Sequence, residues 1–165
     1  MKKYIICFAA LAMAISFSSC SKKKSRLEEI KEFRESLCKE DTTAVLKLAD
    51  NCMKLLKEKR YDEAISMLNE YDDTLKSVKP LSKETERHLR HTFRVFPVLD
   101  YKLSYYSMQL EGLNDIKYNI TFAKEEHPEK NGMPVTSLMF NPVKVDGTWY
   151  LCVKRSDQDV DELRK

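Results

Sequence analysis

Pro97 divides this chain into two halves with different hydrophobic periods, and that change limits the folds open to it more than any other feature. Before Pro97, apolar residues recur at helical spacing: Leu27, Ile30, Phe33 and Leu37, then Ala44, Val45, Leu48, Ala49, Cys52, Leu55 and Leu56. After it, apolar and polar residues alternate with period two, the mark of a half-buried strand. Helices followed by strands imply an α+β domain, with the helices packed on one face of an antiparallel sheet. At 165 residues, one such domain is expected.

In the helical half, the charged segment 26–39 reads as an amphipathic helix, and Asp41-Thr42-Thr43 offers a cap for the next one. Residues 26–41 thus form a lead helix ahead of a domain spanning 42–154. Cys52 lies near the centre of the second helix's apolar stripe, which makes it a buried small hydrophobe rather than a reactive thiol. Tyr61, Ala64, Ile65, Leu68 and Leu75 predict a further helix ending before Pro80, giving a helical hairpin. Its Tyr61-Asp62-Glu63-Ala64-Ile65 and Leu68 resemble one tetratricopeptide unit, but a single copy cannot form the stacked array such repeats need. Ser82 can cap another helix in which Leu89, Phe93 and Phe96 face one way. That helix also carries Glu84, His88 and His91, whose spacing can place metal ligands on one face. They point away from the apolar side, so no metal site is expected there.

In the second half, Leu99, Tyr101, Leu103 and Tyr105 alternate with polar neighbours, and Ile116, Tyr118, Ile120 and Phe122 repeat the pattern after a turn at Gly112 and Asn114. Residues 125–132 read as a polar loop. In the next strand Leu138 and Phe140 share one parity while Val143 and Val145 share the other. A bulge at Asn141-Pro142 would bring both sets to the same face. Asp146-Gly147 is a two-residue hairpin turn leading to Trp149, Leu151 and Val153 on one face of a last strand. Cys152 lies on the other face. Its pairing with Cys38 is conceivable, with free thiols as the default. Residues 155–165 form a polar C-terminal tail.

The N-terminus addresses the chain. Lys2 and Lys3 precede eleven uninterrupted apolar residues, Ile5 to Ile15, a stretch too short to span a bilayer. The closing Phe17-Ser18-Ser19-Cys20 resembles the lipobox of bacterial lipoproteins, with Phe17 where leucine is usual. The resemblance implies a signal peptide at 1–19, acylation of Cys20, and a lipidated tether at 20–25. Simple secretion with an unmodified cysteine is the alternative. Ser21 stands where an inner-membrane retention signal would place aspartate, which favours an outer-membrane, periplasm-facing address. Lys22, Lys23 and Lys24 form a basic run next to the anchor. Residues 20–165 carry 27 basic against 26 acidic side chains. This near-neutral balance argues against nucleic acid as a partner.

The order of elements, together with Val143-Lys144-Val145-Asp146-Gly147-Thr148-Trp149-Tyr150-Leu151, resembles the nuclear transport factor 2-like fold over roughly residues 42–154. The resemblance implies helices packed across a curved antiparallel sheet of about four strands, forming a cone whose interior is either a ligand pocket or a core. Tyr101, Tyr105, Tyr118 and Trp149 are the candidates to line it. Some members of that superfamily are isomerases or dehydratases with an acidic or His/Asp base inside the cone. Here Asp100 has the wrong parity and Asp115 and Asp146 sit at turns, so no catalytic residue and no cofactor are assigned. The expected function is a membrane-anchored, non-catalytic module that binds an apolar small ligand or an envelope protein. The alternatives are a small-molecule isomerase or lyase using the cone, and a helical adaptor of tetratricopeptide type.

Overall fold

A computed structural model describes residues 25–110, 112–123 and 135–154. The expected signal segment at 1–19, Cys20, the loop at 125–132 and the tail at 155–165 lie outside the described residues. In chain order the elements are α1 (Arg26–Ser36), α2 (Lys39–Lys57), α3 (Tyr61–Ser66), β1 (Leu68–Asp72), β2 (Ser77–Pro80), α4 (Lys83–Val95), β3 (Asp100–Ser107), β4 (Asp115–Thr121), β5 (Val135–Val145) and β6 (Thr148–Val153). No helix among the described residues is long and apolar enough to cross a membrane.

Local chemistry sets the helix starts. Ser25 and Glu28 cap α1 reciprocally, Ser25 N donating to Glu28 Oε2 at 2.9 Å and Glu28 N to Ser25 Oγ at 3.3 Å. Ser82 caps α4 as expected, accepting from Thr85 N at 3.1 Å. The cap of α2 differs from expectation. The helix begins three residues before Thr42, with Cys38 as its cap and Asp41 inside the first turn, reaching back to accept from Cys38 N at 3.1 Å.

The strands form one six-stranded mixed sheet in the order β2-β1-β6-β5-β4-β3, rather than about four antiparallel strands. The two extra strands replace the second half of the expected helix at 61–75. Helix α3 stops at Ser66. Leu68 and Asn69 then pair in parallel with Leu151 and Cys152, covering an edge that β6 would otherwise leave open. Asp72 Oδ1 accepts from Thr74 N and Leu75 N, both at 3.1 Å, and this side-chain turn sends the chain back as β2. Leu75, taken from periodicity as a helix contact, sits on the turn and is 73% exposed. The helical hairpin, and with it the tetratricopeptide likeness, does not extend past Ser66.

A second correction concerns Asn141-Pro142. There is no bulge here: β5 pairs with β6 in unbroken register from Phe140↔Val153 to Val145↔Thr148. The parity change arises because the sheet is covered on both faces. Phe140, Leu151, Trp149 and Val153 face the helices, while Val143, Val145, Tyr150 and Cys152 pack with Tyr71 and Val78 of the β1-β2 hairpin on the reverse side. Pro142 is tolerated because the β4 ladder ends at Phe140. Its carbonyl is instead taken by Asn114 Nδ2 at 2.9 Å, and Asn141 Nδ2 donates to Gly112 O at 2.8 Å. Two buried asparagines thus fasten the turn before β4 to the middle of β5. At the same end Lys154 Nζ meets Asp115 Oδ1 at 2.7 Å, with both side chains largely covered. The bulge in the sheet falls in β3, between Leu103 and Tyr105.

The main core lies between α2 and the sheet. Val45, Ala49, Cys52, Met53 and Leu56 of α2 are fully buried against Ile116, Tyr118, Ile120, Phe140 and Leu151. Cys52 is in the core as its stripe position requires. Cys38, Cys52 and Cys152 are free thiols, with Cys38 exposed and Cys152 buried.

Gly112 is irreplaceable on two grounds. Its φ is +81°, and a Cβ there would stand 2.5 Å from Tyr71 Cε1. Gly112→Ala should therefore cost roughly 2 kcal/mol or more, from a left-handed alanine and a displaced buried ring. Gly147→Ala is the control, since its φ of +80° carries the same backbone cost with nothing within 4 Å. Equal losses in urea unfolding of the two variants would contradict the packing at Tyr71.

Candidate functional site

The helix-covered face of the sheet holds three of the four candidate ring residues, Tyr101, Tyr118 and Trp149, in two settings. In the first, Tyr118 is buried and packs edge-on against Tyr101 at 5.7 Å and Phe140 at 6.2 Å between centroids. The Tyr101 hydroxyl donates to Asp50 Oδ1 on α2 at 3.2 Å, and Lys57 Nζ lies 5.8 Å from the Tyr101 ring centre. Burial raises the pKa of both tyrosines above the ordinary value, and the Asp50 carboxylate adds to the effect. Both phenols are neutral donors at any physiological pH. Tyr105 does not join them. The β3 bulge reverses its parity, so it pairs with Lys117 on the outer face, and Tyr106 takes the inward parity opposite Ile116.

Trp149 belongs to the second setting, a clamp around Asp41. Asp41 Oδ1 accepts from Lys144 Nζ at 2.6 Å and from Trp149 Nε1 at 2.9 Å. Its Oδ2 accepts from Cys38 N at 3.1 Å and from Cys38 Sγ at 3.2 Å. Lys144 and Trp149 are register partners across the β5-β6 hairpin, and Lys144 Nζ sits 5.7 Å from the Trp149 ring centre. The Lys144 and Trp149 positions of the hairpin motif therefore grip the first turn of α2. With each oxygen accepting two bonds, the carboxylate is held far below its usual range, by Lys144 first, then the Cys38 amide and the Trp149 indole. A carboxylate so stabilised is a structural anchor and a poor base.

Asp100 is 72% exposed on its side chain and pairs with Lys57 Nζ at 2.8 Å, which lowers its pKa below the ordinary carboxylate value. Asp115 is tied to Lys154. Glu84, His88 and His91 are exposed on the solvent side of α4, and no group of three metal-capable side chains is gathered among the described residues. Burial pushes the Cys52 and Cys152 thiols up to about 12, which removes them as nucleophiles. An open depression of about 390 Å³ lies at the α2–α3 junction, lined by residues including Lys54, Leu55, Arg60 and Met67. None of the four ring candidates borders it.

Asp41 and Asp50 are the two site residues that sequence reasoning missed. Asp41 was visible only as a cap, and its partners lie 103 and 108 residues away. Asp50 had no local signal, since it flanks the apolar stripe of α2 like any solvated residue.

No family model matches the chain, and no curated protein does. A solved structure from Campylobacter jejuni, described as "Putative NTF2-like transpeptidase", aligns with 66% of this chain and 96% of that one, at 17% identity and a TM-score of 0.40.

The clamp gives stability a definite pH dependence. Because the folded pKa of Asp41 is depressed, its contribution is fully present above the unfolded pKa of about 3.9 and is lost as pH falls below it. Asp41→Asn should lower stability at pH 7 by roughly 2–3 kcal/mol, since it removes charge-assisted bonds and leaves Lys144 without its partner. The wild type and variant should converge as pH approaches 2 in urea unfolding. Parallel pH profiles would contradict the clamp.

Proposed function

We propose that this chain is an envelope lipoprotein, anchored through acylated Cys20, whose nuclear transport factor 2-like domain is a non-catalytic module for protein contact. The observation that carries the reading is the apolar packing of α2 on the sheet among the described residues. Five fully buried α2 side chains occupy the concave face against Tyr118, Phe140 and Leu151, where a cone enzyme or carrier would keep space for a ligand. The acids nearest that face support the same view. Asp41 is saturated, Asp100 is exposed and paired, and Asp50 is exposed while accepting from Tyr101.

The contact surface is the β3 end of the sheet. Leu103 and Tyr106 are 37% and 48% exposed on one face of a terminal strand of the sheet order, and Tyr105 is 42% exposed on its other face. Exposed tyrosines beside an aliphatic residue are the composition of protein interfaces. The apolar small-ligand version is weaker, because Tyr101, Tyr118 and Trp149 are engaged with α2 instead of facing an opening. The helical-adaptor version loses its second helix to β1 and β2.

Two measurements test the proposal. Metabolic fatty-acid labelling should mark the wild-type protein and leave Cys20→Ala unlabelled, whereas equal labelling would remove the anchor. A photo-crosslinking residue at Tyr106 should capture a defined envelope protein, and the same residue at Glu84 on the solvent side of α4 should not. Equal yields from both positions, or none from either, would overturn the β3 surface.

A further inference from the structure

The face of the sheet turned away from the helices is covered unevenly. The Tyr71 cluster lies on it near β1 and β2, but Tyr105, Lys117 and Met139, register partners across β3, β4 and β5, belong to neither core cluster. Lys102 and Asn119, paired one step further along, are exposed on the same face. Two cations stand here without an acid among the described residues. Lys117 Nζ rests 6.0 Å from the Tyr105 ring centre, and Lys102 has no ion pair. The acids that border this region are already taken, Asp100 by Lys57 at 2.8 Å and Asp115 by Lys154 at 2.7 Å.

The same register shows where the chain leaves the sheet. Val153 lies opposite Phe140, so Lys154 stands level with the Met139–Lys117–Tyr105 row, and its bond to Asp115 puts its side chain on that outer face. Residues 157–162 follow shortly after as Asp-Gln-Asp-Val-Asp-Glu, with four acids and no base. In an extended chain Asp157, Asp159 and Asp161 fall on one side. Strands lie about 4.8 Å apart, which puts Lys117 roughly 10 Å from the Lys154 position. Lys102, three strands over and one step along, is roughly 16 Å from it. At about 3.3 Å per residue, Asp157 reaches about 10 Å and Asp159 about 17 Å. The spacing of the acids matches the spacing of the unpaired lysines.

We propose that residues 157–162 dock as an acidic strap across the outer face of β3, β4 and β5, with Asp157 on Lys117 and Asp159 on Lys102. An exposed ion pair contributes little alone, and two pairs in fixed order along one short segment are what select this path. The strap covers Tyr105 and leaves Leu103 and Tyr106, on the other face of β3, open. It goes beyond the envelope contact proposed above and rests neither on that contact nor on acylation of Cys20.

Carbodiimide coupling, which joins a lysine to a carboxylate only where the two touch, tests the strap on the chain from Ser21 onward, which keeps every described residue. Amide links Lys117–Asp157 and Lys102–Asp159 should form with yields comparable to that of Lys57–Asp100, the exposed pair that serves as reference. Salt at about 0.5 M should lower both strap links about threefold. In amide NMR spectra, ending the chain at Lys154 should shift Tyr105, Lys117 and Asn119 and leave Ala49 and Cys52 in place. Asp157→Asn with Asp159→Asn should give the same shifts. Reference coupling without the strap links overturns the inference, as do links from Asp157 and Asp159 spread over lysines elsewhere, such as Lys83 on α4. Links that join only two differently labelled copies would give the face to a second molecule and overturn it too. Amides of β3 and β4 unmoved by loss of the tail would do the same.

Discussion

The arrangement of this domain depends on one carboxylate. Asp41 belongs to the first turn of α2, but its strongest partners, Lys144 and Trp149, face each other across the last hairpin of the sheet. The clamp fixes where α2 begins and so which side chains of α2 meet the sheet. Val45 follows Asp41 by one turn, and Ala49, Cys52 and Leu56 continue the same face into the core. Charge-assisted bonds in a mostly covered setting are directional, which hydrophobic burial is not. Burial of the α2 stripe supplies most of the stabilisation, and Asp41 determines its register.

Function follows from what that register leaves over. Because α2 fills the concave face, Tyr101 and Tyr118 become part of a wall instead of a pocket lining. Among the described residues, the apolar cluster on the reverse side of the sheet is the one that Tyr71 and Val78 form with Val143, Val145, Tyr150 and Cys152. Exposed aromatic surface is left along β3, and α1 is left without a buried residue beside the Asp41 end of α2.

Much of this could be read from sequence wherever the signal was local. Cys52 at the centre of an apolar stripe, Ser82 before a helix, and Asp146-Gly147 between alternating runs each specified their structure within a few residues. Asp146 and Gly147 do adopt positive φ, as that turn requires. What escaped were features decided by distant partners. Leu68 fits a helix as well as a strand, and its pairing with Leu151 settled the matter, which left Leu75 on the turn beyond β1. Val143 and Val145 looked displaced by a bulge because the coat of Tyr71 and Val78 on the reverse face could not be foreseen. The real bulge, beside Ser104, has no glycine or proline to announce it, and it moved Tyr105 outward. Trp149 was recognised as significant, but its role depended on a carboxylate more than a hundred residues earlier.

The central claim is that Asp41 couples the start of α2 to the β5-β6 hairpin. Amide hydrogen exchange on Asp41→Ala, compared with the wild type, tests it most directly. The account predicts that protection falls together in the first turns of α2 and in the strand pair 143–151, while the β3-β4 ladder keeps its relative order. Loss confined to the first turn of α2, with the hairpin protected as before, would contradict it.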